Sequence, residues 1–302
     1  MKKTIVETDL GQKETYEKWN GKFLDESAYH TVIKVTDEDM GVMKPILSLD
    51  GSDVPLAYVI TNAFPQQSKI RDILTTIEDT STMRANCSGP IDKEDMLAKG
   101  LVEGEDYKLR TPNSYHTRTK SGGWGMIAYS NEIHSVMIGH KRGRFTGGID
   151  VSGWCKDNKD KWEALQEITE HNETAFAKAN NDIYRSQKSF AENNIRPEHR
   201  IGEGIFTTLS ANRYSSYQST KMAAHVDSGD TDAGMTSMCV FREGDYDGAY
   251  LCFPRYGIAI DAPDNSVVIA DSQEVHGVTP ISGKGQRFSC VAYCDRRLAT
   301  VG

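Results

Sequence analysis

His225 and Asp227 stand one residue apart, and a second histidine, His276, follows 49 residues after Asp227. Side chains two apart in an extended chain project from the same face, so an imidazole and a carboxylate can address one point. A histidine arriving from another strand would complete one face of an octahedron. Two histidines and one carboxylate, with the remaining positions open, suit Fe(II) in a non-haem oxygenase.

Arg287 follows His276 by 11 residues, room for a hairpin turn at Ser282-Gly283-Lys284-Gly285 and entry into an adjacent strand, Arg287 to Tyr293. Arg287 and Ser289 share a face of that strand. A planar guanidinium binds a carboxylate through two parallel bonds, and a nearby hydroxyl adds a third. The distal carboxylate of 2-oxoglutarate fits this pair, with its keto acid end chelating the iron. Singly, each feature has an ordinary reading: His-x-Asp arises by chance, and an arginine entering a strand is usually a solvated edge charge. Order, spacing and strand phase together point to one chemistry.

These side chains need a scaffold. From Gly204 onward the chain alternates short apolar runs with turns, and eight strands are expected: 205–212, 222–227, 236–241, 250–253, 257–261, 266–270, 275–279 and 287–293. Turns are expected at 243–248 and 263–265. This pattern predicts a double-sheet jelly roll holding the metal at its mouth, in an α+β chain with flanking helices. Residues 157–194 carry Trp162, Leu165, Ile168, Phe176, Ile183, Tyr184 and Phe190 at near-helical intervals, with Asn180-Asn181 a candidate break and Pro197 an end. A strand is expected at 55–62 and a helix at 66–79, with Ile70, Ile73, Leu74 and Ile77 on its core face. The expected organisation is a single dioxygenase domain over 1–302, with an N-terminal elaboration of helices and basic loops up to about 200 and a catalytic core over 204–295.

Composition is that of an ordinary globular protein, 38% hydrophobic and 26% charged over 302 residues. No apolar run is long enough to span a bilayer and the start lacks a signal-peptide core, so an intracellular, cytoplasmic protein is expected, with no membrane and no obligate protein partner. The six cysteines contain no Cys-x-x-Cys pair; Cys290 and Cys294 share a strand face with Phe288 and Ala292 and read as small packing groups. A zinc deaminase signature is absent.

The net charge of −8 argues against coating nucleic acid by bulk electrostatics, but the charge is uneven. From Tyr107 to Gly148 there are seven basic residues against Glu132, a local +6, which leaves −14 elsewhere. Two loops in this stretch, around Arg118 and Lys120 and around Lys141, Arg142 and Arg144, mix cations, hydroxyls, glycines and aromatics. Such loops suit phosphate contact beside an unstacked base. Two solvated turns are the plainer alternative.

Leu209 to Arg213, His225 to Asp230, Gly248 to Gly257, Val275 to Pro280 and Arg287 to Ser289 together resemble the TET/JBP family of 2-oxoglutarate- and Fe(II)-dependent dioxygenases, especially its smaller microbial and phage-type members. A phage-encoded protein working in a bacterial host fits that likeness. The resemblance covers residues 204–295. It implies oxidation of the 5-methyl group of 5-methylcytosine or thymine in DNA, with the base flipped into the pocket and O2 as co-substrate. It implies His225, Asp227 and His276 as iron ligands, Arg287 as 2-oxoglutarate anchor with Ser289 beside it, and Asp230 on the polar edge of the base. Asn212 and Arg213 match a family pair near the pocket, Asn212 assigned toward substrate and Arg213 toward cofactor. A carboxylate at Asp230 accepts from the amine of cytosine or the ring N–H of thymine, so it leaves the base open.

Two other readings stand beside this one. The same iron chemistry could serve a free nucleotide, an amino acid or another small molecule, which the overall acidity favours slightly. A jelly-roll binding module without catalysis would need no complete ligand set.

Overall fold

The structure of the protein is a computed structural model. It describes residues 4–6, 10–36, 43–48, 55–65, 70–72, 82–84, 93–98, 102–105, 107–109, 117–119, 124–125, 133–142, 148–218 and 222–299, with single positions at 8, 75 and 100.

Two sheets face each other. The larger runs in the order Thr4–Val6, Met43–Ser48, Pro55–Ile60, Ser266–Ala270, Thr236–Gly248, Ile281–Tyr293, Thr208–Ser215, Ile133–Arg142, Ile149–Val151, with Thr82–Arg84 also on Ile133–Arg142. The smaller runs Gly277–Val278, Leu251–Phe253, Ile258–Asp261, Thr31–Lys34. Both sheets therefore recruit strands from the first sixty residues.

Side-chain alternation explains the layering. Met238, Val240 and Val268 turn toward the small sheet and pack on Leu251, Phe253, Ile258 and Ile260. Their neighbours Cys239, Phe241, Val267 and Ile269 turn outward, onto Leu165, Ile168 and Phe176 of the helix Lys159–Ala179. Helical spacing on that face buries three large side chains completely, each contributing about 2 kcal/mol. The same period places Phe288, Cys290 and Ala292 on the helix side, which sends Arg287, Ser289, Val291 and Tyr293 inward.

The expected helical break is real. Asn180 ends one helix and caps the next, Asn181–Asn194, by accepting from the N–H groups of Asp182 (3.1 Å) and Ile183 (3.0 Å). Its amide also donates to the Tyr58 hydroxyl at 2.8 Å, tying the helix junction to the sheet. Pro197 opens a short 3-10 turn. The expected strand at 55–62 appears as Pro55–Ile60; of the expected helix at 66–79, residues 70–72 and 75 are described and helical, with Ile70 buried. Among the described residues no helix is long and apolar enough to cross a membrane.

Three local expectations are corrected. Residues 243–248 and 282–285 are not turns: both lie inside thirteen-residue strands, paired Gly244 to Gly285 and Tyr246 to Gly283. The glycines that suggest turns serve close cross-strand approach instead, as at Gly283, where φ is +101° and a Cβ would meet the Asp245 carbonyl at 2.8 Å. Residues 222–227 do not form a strand; His225 joins His276 through one isolated antiparallel bridge, after which the backbone turns. The strand expected at 275–279 is only Gly277–Val278, because His276 is spent on that bridge.

Candidate metal centre

The His225–His276 bridge exchanges both backbone bonds, at 2.8 and 2.9 Å, and brings the imidazole centres to 4.6 Å. Small residues make this approach possible: a Cβ on Gly277 would stand 3.1 Å from the Ala224 Cα. The N-terminal segment braces it from behind. Ala224 exchanges backbone bonds with Lys22 and Gly21, while Trp19 and Leu24 pack on Ala224 and Val275.

Each ring is oriented by its own chain. His225 Nδ1 donates to the Ala223 carbonyl at 2.8 Å and His276 Nδ1 to the Glu274 carbonyl at 2.9 Å. A carbonyl only accepts, so the proton sits on Nδ1 and both Nε2 lone pairs face inward. Between them lies Asp227, its oxygens 3.6 Å from His225 Nε2 and 3.5 Å from His276 Nε2. Glu274 is held in turn by an ion pair with Arg255 and a bond from the Tyr256 hydroxyl.

The electrostatics attract a cation. Burial pushes His225 below its ordinary value. Burial opposes ionisation of Asp227, but His276 and His225 outweigh it and hold the carboxyl at about 2. Burial also pulls His276 down, and the facing Asp227 carboxylate more than offsets it. The ligand atoms of these three residues lie within 4.8 Å of one another, alone in doing so among the described residues.

They open onto a cavity of about 430 Å³, within the range of small-molecule sites. Its apolar wall is Met238, Leu251, Val268, Val278 and Val291; its polar groups include Ser210, Asn212, Asp230, Asp271 and Ser289. Asp230 accepts from the Thr236 hydroxyl at 2.7 Å; burial, then repulsion by Asp227, raises it to about 7. Ser289 Oγ is buried and has no hydrogen-bond partner among the described residues. Arg287, 3% exposed, lies against the same wall, donating to the Ala249 carbonyl at 2.8 Å and toward Met238 Sδ at 3.3 Å. Burial lowers its pKa, and no carboxylate pairs with it among the described residues.

Residues 155–296 match the family model described as the oxygenase domain of the 2OGFeDO superfamily, Tet_JBP. This stretch matches the TET/JBP oxygenase domain. A curated relative, the bifunctional helicase and thymine dioxygenase JBP2 of Trypanosoma brucei brucei, is 32% identical over 102 residues, which are 33% of this chain and only 9% of that protein. Among solved structures, NgTET1 in complex with 5mC DNA aligns over 96% of this chain and 93% of its own, at a TM-score of 0.51 and 11% identity, a likeness of fold.

Fe(II) and 2-oxoglutarate are the cofactors of the 2OGFeDO superfamily, and the residues present fit them. Two neutral nitrogens and one carboxylate suit a ferrous ion. A buried guanidinium that meets no carboxylate among the described residues, two positions from a serine hydroxyl on the same strand face, suits a carboxylate.

Other expected site residues fall differently. Asn212 lines the cavity, but Arg213 does not: alternation puts it on the opposite face with Leu209 and Ala211, where its Nε donates to Gln286 at 2.9 Å. Its assignment to the cofactor is therefore corrected. Lys141 is exposed, Arg118 and Arg142 lie on strands, and Lys120 and Arg144 lie outside the described residues. The sequence reading missed Tyr214, Glu274 with Arg255, and Arg297 at the cavity. Strand phase running on two residues from Asn212 could have found Tyr214; the others had no local signal.

Proposed function

We propose that this protein is a 2-oxoglutarate- and Fe(II)-dependent dioxygenase that oxidises the 5-methyl group of a pyrimidine, 5-methylcytosine or thymine, in DNA, with the base flipped out of the stack. The convergence of His225, Asp227 and His276 on one cavity, with Arg287 behind its wall, carries this reading. The DNA substrate draws support from the name of the relative, a thymine dioxygenase, and from the 5mC DNA bound to the protein of like fold.

Iron and 2-oxoglutarate, when bound with O2, supply an oxidant strong enough for an unactivated methyl, releasing succinate and carbon dioxide. The chain does the positioning. His225, Asp227 and His276 hold the metal through Nε2 and carboxylate oxygens, while Arg287 and Ser289 take the distal carboxylate of 2-oxoglutarate. Val268, Val278, Val291 and Leu251 exclude water around the reacting methyl. Asp230 and Asn212 offer hydrogen bonds to the polar edge of the base, fixing which atom faces the metal. Extruding the base costs a few kcal/mol, and the basic residues Arg118, Lys120, Lys141, Arg142 and Arg144 offset it by holding flanking phosphates. We read the chain as one catalytic domain working in an intracellular setting.

The cavity's own acidity, with Asp227, Asp230 and Asp271 together, keeps a second reading in view: the same chemistry on a free nucleotide or other small molecule. The deciding experiment is mass spectrometry of nucleosides after incubation with DNAs containing 5-methylcytosine or thymine. A product about 16 mass units heavier is expected for each oxygen inserted. Unaltered DNA alongside succinate formation with a free nucleotide would overturn the DNA reading.

A further inference from the structure

The short turn Arg296–Leu298 is laced to the residues that follow Asp227. Thr231 N–H donates to the Cys294 carbonyl at 2.9 Å, Arg296 N–H donates to the Gly229 carbonyl at 3.0 Å, and Asp230 bridges Asp295. Asp295, 4% exposed, accepts from Arg297 three times: from its backbone N–H at 2.9 Å, Nε at 2.7 Å and Nη2 at 2.6 Å. The guanidinium rests over Gly229, where an added Cβ would come within 3.0 Å of its Cζ. This grip occupies one edge of the planar fork. The side chain still lines the cavity and is 61% exposed.

Arg296 stands beside it, exposed, donating to the Ser228 carbonyl at 2.8 Å and meeting no carboxylate among the described residues. The cavity that Arg297 lines, and whose lining residue Ser228 Arg296 holds by its carbonyl, is also lined by Asp227, Asp230 and Asp271. A polyanionic strand approaching that acidic opening is repelled unless cations stand at its rim. Guanidinium groups suit this task, since their flat donor array matches phosphate oxygens.

We infer that Arg296 and Arg297 form a phosphate grip on the rim of the cavity, holding the backbone beside the flipped nucleotide, with Asp295 as the positioning residue that aims the free edge of Arg297 outward. The inference rests on the DNA reading above. It adds a cationic pair that is remote in sequence from the 107–148 segment but adjacent to the metal ligands.

The test is the binding of the full chain to a single-stranded oligonucleotide carrying 5-methylcytosine, and to its unmethylated counterpart, by fluorescence anisotropy across a salt series. The proteins are wild type, R296Q, R297Q and R297K, each checked for an unchanged thermal midpoint. Each Gln variant is expected to bind both oligonucleotides about tenfold more weakly. Each should also lower the slope of log K against log salt by about 0.7, the loss of one phosphate contact on a single strand. R297K, which keeps the cation, should keep the slope. R296Q removes only a bond to a carbonyl, so it reports even if R297Q, which strands the buried Asp295, fails to fold. Wild-type slopes in both R296Q and R297K-controlled R297Q overturn the grip, as does weakening confined to the methylated oligonucleotide, which would mark a base contact. A wild type that makes succinate yet binds neither oligonucleotide defeats the DNA reading itself.

Discussion

The guanidinium of Arg287 lies 5.6 Å from the ring centre of Tyr214, its partner across the antiparallel strand pair. A buried cation over an aromatic face gains about 2 kcal/mol, and here it also fixes the direction of the fork. Replacing Tyr214 by Leu should therefore raise the 2-oxoglutarate requirement by tenfold or more, on the order expected from that energy. Arg287→Ala should raise it further. Succinate formation against 2-oxoglutarate concentration measures both, and an unchanged half-saturation in R287A would remove Arg287 as anchor.

Asp227 supplies the sole carboxylate of the triad. Asp227→Ala should abolish Fe(II) binding and turnover while the fold survives, and anaerobic metal titration reads this directly. Wild-type activity in D227A would refute the ligand assignment.

Glu274 presents the carbonyl that holds His276 Nδ1, and Arg255 holds Glu274. Arg255→Met should strand the buried carboxylate and let His276 swing, lowering metal affinity by about 10–100-fold, less than the loss in D227A. Equal metal affinity in R255M and wild type would show that the ion pair only supports the fold.

Succinate should form from 2-oxoglutarate only when Fe(II) and O2 are both supplied. Its absence with every substrate tried would favour a binding module over an enzyme.

His140 is buried against His199, with ring centres 5.9 Å apart, and its Nδ1 has no hydrogen-bond partner among the described residues. Burial, then repulsion by His199, lowers its pKa, so the unfolded chain binds the proton more readily than the folded one. The associated stability is full above the unfolded value of about 6.5 and is lost as pH falls below it toward the lower folded value. Denaturant unfolding of H140F between pH 7 and 5, about the range spanning that ordinary histidine pKa, should depend less steeply on pH than wild type. Parallel curves would exclude His140 as the source.

Local sequence determined the donor chemistry and its phase. His225, Asp227, His276, Arg287 and Ser289 were legible because residue type and a two-residue period are local properties: Ser289 lines the cavity, and Arg287, two residues before it, meets Met238 of the same wall. The Asn180 break and the apolar helix face were legible for the same reason. Only the tertiary structure decided that 222–227 is a bridged turn, that glycines 244, 283 and 285 belong to a long strand pair, and that Arg213 faces away from the cavity. It also brought Trp19 and Leu24 behind His225, and Arg297 onto the cavity rim. These outcomes depend on which distant backbone groups pair and on how packed side chains exclude the alternatives, and neither is written in any short stretch of chain.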